Sequence, residues 1–283
     1  MSERLTVRKT YKLYIGGAFP RSESGRTYPV TDTKGRFLAN ASQASRKDVR
    51  DAVTAARKAF TGWSARTAYN RAQILYRIAE MLEGRRDQFI TEVRHSGASK
   101  THAAAQVDAA IDRWVWYAGW ADKITAITGA ANPVTGPYFN FSTPEPTGIV
   151  AVIAPDDPLL GLVSVLAPAI ATGNTTVVIA SEPAPLPAIT LAEVLATSDL
   201  PGGVVNILTG HRTELAPWLA SHMDVNAIDL TGVPEADVTA LEEKAAENLK
   251  RVFRAAEDWS GDPGTARMTA FLEVKTVWHP VGV

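Results

Sequence analysis

The stretch Gly148-Ile149-Val150-Ala151-Val152-Ile153-Ala154-Pro155-Asp156-Asp157-Pro158-Leu159-Leu160 decides the fold of this chain. Its first half is apolar, rich in β-branched residues and free of polar alternation, which predicts a strand buried on both faces. Pro158 suits the first turn of a helix, where its missing N–H is not needed. Leu162, Val163, Leu166, Ala167 and Ile170 then recur at helical spacing. Gly173-Asn174 supplies a left-handed helix end, and Thr175-Thr176-Val177-Val178-Ile179 reads as a second buried strand. Strand, helix and strand together predict a right-handed β-α-β crossover.

Working outward, the alternation continues as an α/β; doubly wound sheet should. Helical spacing runs from Pro187 to Thr197, from Arg212 to His222 and from Ala236 to Glu247. Strands are predicted at Val204-Val205-Asn206-Ile207, from Val225 to Leu230 and from Leu249 to Phe253, with a turn at Thr231-Gly232. Upstream, Lys12 to Gly17 reads as a short strand entering a Gly16-Gly17 turn, and Tyr11 to Asn40 as a β-hairpin arm. Ser45 is the expected N-cap of a helix carrying Val49, Ala52, Val53, Ala56 and Phe60. Further helices are expected from Arg71 to Leu82, from Arg86 to His95 and from Thr101 to about Ile127. The expected organisation is an arm over residues 1–45, a sheet domain over 46–256 and a bridge with a last strand over 257–283.

With 283 residues the chain can bury a sizeable core, and 29 basic against 30 acidic residues point to neither nucleic acid nor a membrane surface. No run is long enough to span a bilayer, and Met-Ser-Glu-Arg-Leu-Thr-Val-Arg-Lys-Thr is too charged for a signal peptide, so the expectation is a cytoplasmic protein. The absence of cysteine excludes disulfides, thiolate metal sites and thiol nucleophiles within these residues. No Gly-x-Gly-x-x-Gly, Walker loop, His-Glu-x-x-His or Gly-x-Ser-x-Gly occurs. His95, His102, His211, His222 and His279 are scattered, and no metal site is expected. Trp114, Trp116 and Trp120 offer a stacking platform in one reading. The other places Trp114 in the core and its neighbours against a partner subunit.

The order strand, Pro-containing turn, Leu166-Ala167-Pro168-Ala169-Ile170-Ala171-Thr172-Gly173-Asn174-Thr175, strand resembles the cofactor domain of the aldehyde dehydrogenase superfamily. Tyr14-Ile15-Gly16-Gly17, Val30-Thr31-Asp32, Leu200-Pro201-Gly202-Gly203-Val204-Val205-Asn206-Ile207 and Asn248-Leu249-Lys250-Arg251-Val252 are similar to that family, in its order. The resemblance implies a Rossmann-like sheet with an N-terminal β-hairpin arm and a C-terminal oligomerisation strand. It is interrupted after Phe253, where family members enter a catalytic domain bearing a cysteine. Here a polar, turn-rich bridge leads directly to Phe271–His279, which resembles the family's closing strand.

Carried over residue by residue, the resemblance implies an eroded site. The family's general-base position is Ala255, with Glu257 nearby, and the oxyanion-donor position falls on Asp156 or Asp157. A carboxylate accepts and cannot donate, so Asp156 is expected as the N-cap of the following helix. Around the cofactor, vestigial candidates are Ala154, Pro155, Asp156, Ala180, Glu182, Thr231 and Gly232. Ala180 stands where a ribose-binding lysine is expected, Glu182 is out of register, and Val233 replaces a serine. No cofactor is expected, and NAD(P) binding at most weak.

Pro155-Asp156 and Lys275-Thr276-Val277-Trp278-His279-Pro280 are also similar to the second, cysteine-less unit of two-unit aldehyde dehydrogenases. The expectation is a non-catalytic subunit, forming a homodimer or joining a catalytic aldehyde dehydrogenase through Phe271–His279 and the arm. The closing strand, with no evident sheet of its own, is expected to pair with another chain. Two alternatives stay open: an NAD(P)-dependent aldehyde dehydrogenase whose cysteine comes from a partner, and a ligand-sensing module.

Overall fold

The computed structural model describes Leu5, residues 7–255 and residues 258–282. The chain begins with Tyr11 to Pro20 folded as a tight turn at Gly16-Gly17, then a hairpin of β1 (Thr27–Thr31) and β2 (Phe37–Ser42). Asp32 shapes the hairpin tip by accepting from the backbone N–H groups of Lys34 and Arg36. The helix α1 (Arg46–Ser64) opens with the expected cap: Ser45 and Asp48 form a reciprocal capping box. Next come α2 (Ala68–Glu83), α3 (Arg86–Arg94), α4 (Lys100–Trp120) and α5 (Ile124–Thr128).

The single helix expected through Ile127 is therefore broken. After Trp120 the backbone tightens, so that Lys123 N–H bonds Trp120 O, while Lys123 Nζ takes the Gly119 carbonyl. Strands β3 (Ala130–Asn132) and β4 (Tyr138–Pro146) follow, then the central unit β5 (Ile149–Ile153), α6 (Leu160–Ala171) and β6 (Thr175–Ile179). The remaining elements are α7 (Leu186–Leu195), β7 (Val205–Leu208), α8 (Arg212–Ser221), β8 (Ala227–Asp229), α9 (Glu235–Ala246), β9 (Arg251–Phe253), α10 (Ala266–Ala270) and β10 (Leu272–Pro280).

The main sheet is parallel, in the order β7-β6-β5-β8-β9. It is buried on both faces, as its apolar strands require. Val150, Val152 and Val178 pack on one side with α2, α3, α4, α6 and α7. Ile149, Ala151, Ile153, Val177 and Ile179 pack on the other with α1, α8 and α9. From β5 the chain steps outward through β6 and β7, then crosses back to β8 and β9, so the topological switch point lies between β5 and β8.

The arm closes one sheet edge. Tyr14 exchanges backbone hydrogen bonds with Ile207 of β7 at 2.9 and 2.8 Å. Gly17 and Gly202 make this approach tolerable, since a Cβ on Gly17 would lie 2.9 Å from Gly202 Cα.

The closing strand has a sheet of its own, contrary to the expectation from sequence. β10 pairs antiparallel with β4 along its whole length, from Leu272 opposite Pro146 to Pro280 opposite Tyr138, in the order β10-β4-β3. Its partner lies far back in the chain, across the whole main sheet.

Among the described residues no helix is long and apolar enough to cross a membrane, and no group of three His, Cys, Asp or Glu side chains could hold a metal ion.

Candidate functional site

In a doubly wound sheet, ligands bind outside the carboxyl ends of the strands, at the switch point. Here that crevice is built by the residues after β5, β6 and β8, so Ala154-Pro155-Asp156-Asp157, Ala180-Ser181-Glu182 and Thr231-Gly232 do converge. Ala154 and Ala180 are buried and offer methyl groups.

The turn after β5 differs from the expected one. Helix α6 starts at Leu160, beyond Pro158, with Leu159 at its N-cap, and Asp157 takes one N–H of its first turn. Asp157 Oδ1 accepts from Gly161 N–H at 2.7 Å and Oδ2 from Gln106 Nε2 at 2.9 Å. Asp156 is therefore not the cap. The Asp157 carboxylate reaches forward onto the helix, and Asp156 faces the crevice.

Asp156 Oδ1 accepts from Ser181 Oγ at 3.1 Å and from the Arg212 guanidinium, which leads α8. The same guanidinium donates to Gly232 O at 2.8 Å, so Arg212 spans the switch point from the end of β5 to the end of β8. Its side chain is 14% exposed, and burial holds its pKa below the usual arginine value. Glu182 is also committed: Oε2 accepts from Arg212 N–H at 3.1 Å, and Oε1 lies 2.6 Å from His211 Nδ1. Gly232 crosses so near β5 that a Cβ there would fall 2.1 Å from Ala154 O.

Thr231 Oγ1 and Asp229 receive a residue that sequence reading missed, Arg267 of α10. Arg267 and Asp229 form an ion pair, with side chains 3% and 0% exposed, and the guanidinium stacks 4.5 Å over the Phe253 ring. Burial brings the Arg267 pKa down to about 10. The bridge is anchored a second time by Arg113, whose Nη2 donates to Trp259 O and Gly261 O at 2.8 and 3.2 Å. Between β9 and β10 the described residues thus form a packed cap. Ala255 is half-buried within it; Glu257 lies outside the described residues.

The tryptophan platform does not form. Trp114 is fully buried, while Trp116 and Trp120 pack against the core with ring centroids 5.4 Å apart. Among the described residues, no Ser or Thr hydroxyl is hydrogen-bonded to a histidine ring. Two cavities adjoin the crevice and share the walls Arg212 and Glu182. One is a groove of about 670 Å³ between Tyr28–Thr33, His95 and Asp156. The other is a cleft of about 300 Å³ between α8 and α9, lined by Ala216, Pro217, Val233, Leu241 and Lys244.

Comparison with known proteins agrees with this architecture. Residues 19–255 match the aldehyde dehydrogenase family model. The chain belongs to the aldehyde dehydrogenase family. It is 35% identical over 253 residues to aldehyde dehydrogenase, cytosolic 1, of Elephantulus edwardii, covering 85% of this chain and 49% of that protein. It is also 35% identical over 251 residues to retinal dehydrogenase 2 of Homo sapiens, covering 86% and 48%. Among solved structures, an NAD+ complex of an aldehyde dehydrogenase from Bacillus cereus superposes with a TM-score of 0.83 at 28% identity, covering 87% of this chain and 50% of that one. The chain thus spans about half the length of the relatives it matches.

Proposed function

We propose that the chain is a non-catalytic aldehyde dehydrogenase-like subunit that assembles, with itself or with a catalytic aldehyde dehydrogenase, through β10 and the N-terminal arm. The observation that carries this reading is the small sheet β10-β4-β3. It has a bare edge along β10, and Tyr138, Phe139, Val274 and Trp278 are exposed. A three-stranded sheet with exposed aromatic residues and an unpaired edge strand invites strand addition. The lack of any cysteine in the sequence fits a role in assembly rather than thiol chemistry.

The test is native mass determination of the full chain, alone and after mild affinity purification from its own cells. A homodimer, or a fixed ratio with a full-length aldehyde dehydrogenase, is expected. A monomer that brings down no aldehyde dehydrogenase overturns the reading.

A further inference from the structure

The family fold implies a dinucleotide at the switch point, and the residues there do not fit one. A pyrophosphate needs vacant N–H donors, a helix N-terminus free of negative charge, and no carboxylates facing it. The switch point meets these conditions poorly. The N-terminus of α6 is already occupied by the Asp157 carboxylate on Gly161 N–H. Helix α9 has Pro234, which has no N–H, at its N-cap and carries Glu235 and Asp237 in its first turn. Among the described residues the cation spanning the crevice is Arg212, and it is engaged by Asp156 and by Gly232 O. Glu182 holds the Arg212 backbone N–H and His211.

We propose that the cation of the crevice is neutralised by the chain itself: Asp156 sits on Arg212 as an internal anion, in the place an entering phosphate would need. Arg212 is thereby a lock whose guanidinium ties the end of β5 to the end of β8. It also forms the partition between the groove of about 670 Å³ and the cleft of about 300 Å³, both of which it lines. The geometry favours this over a site that is merely weakened. Asp156 is held at Oδ1 by Ser181 as well as by Arg212, so the internal anion is fixed from two sides. Loss of a donor such as a lysine at Ala180 lowers affinity, but an anion seated on the cation that spans the crevice excludes the ligand. This inference goes beyond the subunit reading and holds whether or not the chain assembles.

The test is a fluorescence titration of the full chain with NADH. Wild type is expected to show no saturable binding at micromolar NADH. D156N keeps the side-chain shape, deletes the internal anion and leaves the guanidinium only a neutral acceptor to give up, so at least a tenfold gain in affinity is expected. Adding R212A to D156N should remove that gain. Saturable micromolar binding by wild type overturns the proposal without any variant. So does a D156N protein that binds no better than wild type, or a D156N/R212A protein that binds as well as D156N. Asp156 is 57% exposed, so D156N is expected to fold, and its native mass should equal that of wild type. A change in mass with no change in NADH binding would bear on assembly and overturn the lock.

Discussion

Replacing Arg267 by methionine isolates the cost of the cap between β9 and β10. The substitution keeps an apolar stem over Phe253 but strands the Asp229 carboxylate, which is fully buried and retains the Thr231 N–H at 3.0 Å. Removing one partner of a buried pair costs about 3–5 kcal/mol, because the charge left behind has lost both water and counter-ion. For a chain of this size, each kcal/mol lowers Tm by roughly 2–4 °C, so R267M should melt roughly 6–20 °C below wild type. D229N/R267M keeps an acceptor for Thr231 N–H without the buried charge, and should recover most of that loss. Thermal and urea unfolding of the three proteins measure the effect. Limited proteolysis within residues 258–266 should accelerate in R267M alone, because α10 would no longer be tied to β8. An R267M protein within about 1 kcal/mol of wild type, or a double variant no better than R267M, refutes the idea that the pair anchors the cap.

Other predictions concern the turn, the arm and the open strand. D157A should lose about 1–2 kcal/mol in denaturant unfolding as a lost helix cap, and D156A, exposed and ion-paired, less than about 1 kcal/mol; the reverse order sinks the assignment of the cap. Glu92 joins the arm to α7, accepting from Tyr11 and Thr190 at 3.1 and 2.8 Å with Gln88, Lys9 and Glu193 around it, and burial raises its pKa above the ordinary 4.5. A raised folded-state pKa gives stability that is present below the unfolded value and lost as pH rises through the folded one. E92Q should therefore gain on wild type in urea midpoint between pH 4.5 and pH 8, and a pH-independent offset would contradict this. Val281 N–H points inward to Pro137 O, so by strand alternation the Val274 N–H points outward. V274P should abolish assembly while leaving the monomer's far-ultraviolet circular dichroism unchanged, and an unchanged native mass would count against strand addition along β10.

The central unit was legible because its signals are local. Apolar runs without alternation gave buried strands, and Ser45 with Asp48 gave a helix start, since each depends on neighbours within one turn. The turn after β5 was half legible: an acid was expected to cap the helix, but the sequence reading chose Asp156, and it is Asp157 that reaches Gly161. The site's arginines were not legible. Arg212 reaches Asp156 across 56 positions and Arg267 reaches Asp229 across 38, and no periodicity reports on side chains that meet through the fold. The partner of β10 was hidden for the same reason. A nine-residue strand announces that it will pair, and nothing in it names β4.

The distance between those two strands has a consequence for how the protein is made. Ser142 and Thr276, bonded at 2.9 Å, are 134 positions apart. At roughly 5–20 residues per second of synthesis, β4 waits on the order of 7–27 s for its partner. Throughout that wait its aromatic strand is an open edge. When several copies are made close together, the first β10 to arrive can belong to a neighbour. Exchange of this one strand joins two chains without any contact that a single chain lacks. The yield of such exchanged dimers should rise with expression level and fall when synthesis is dilute.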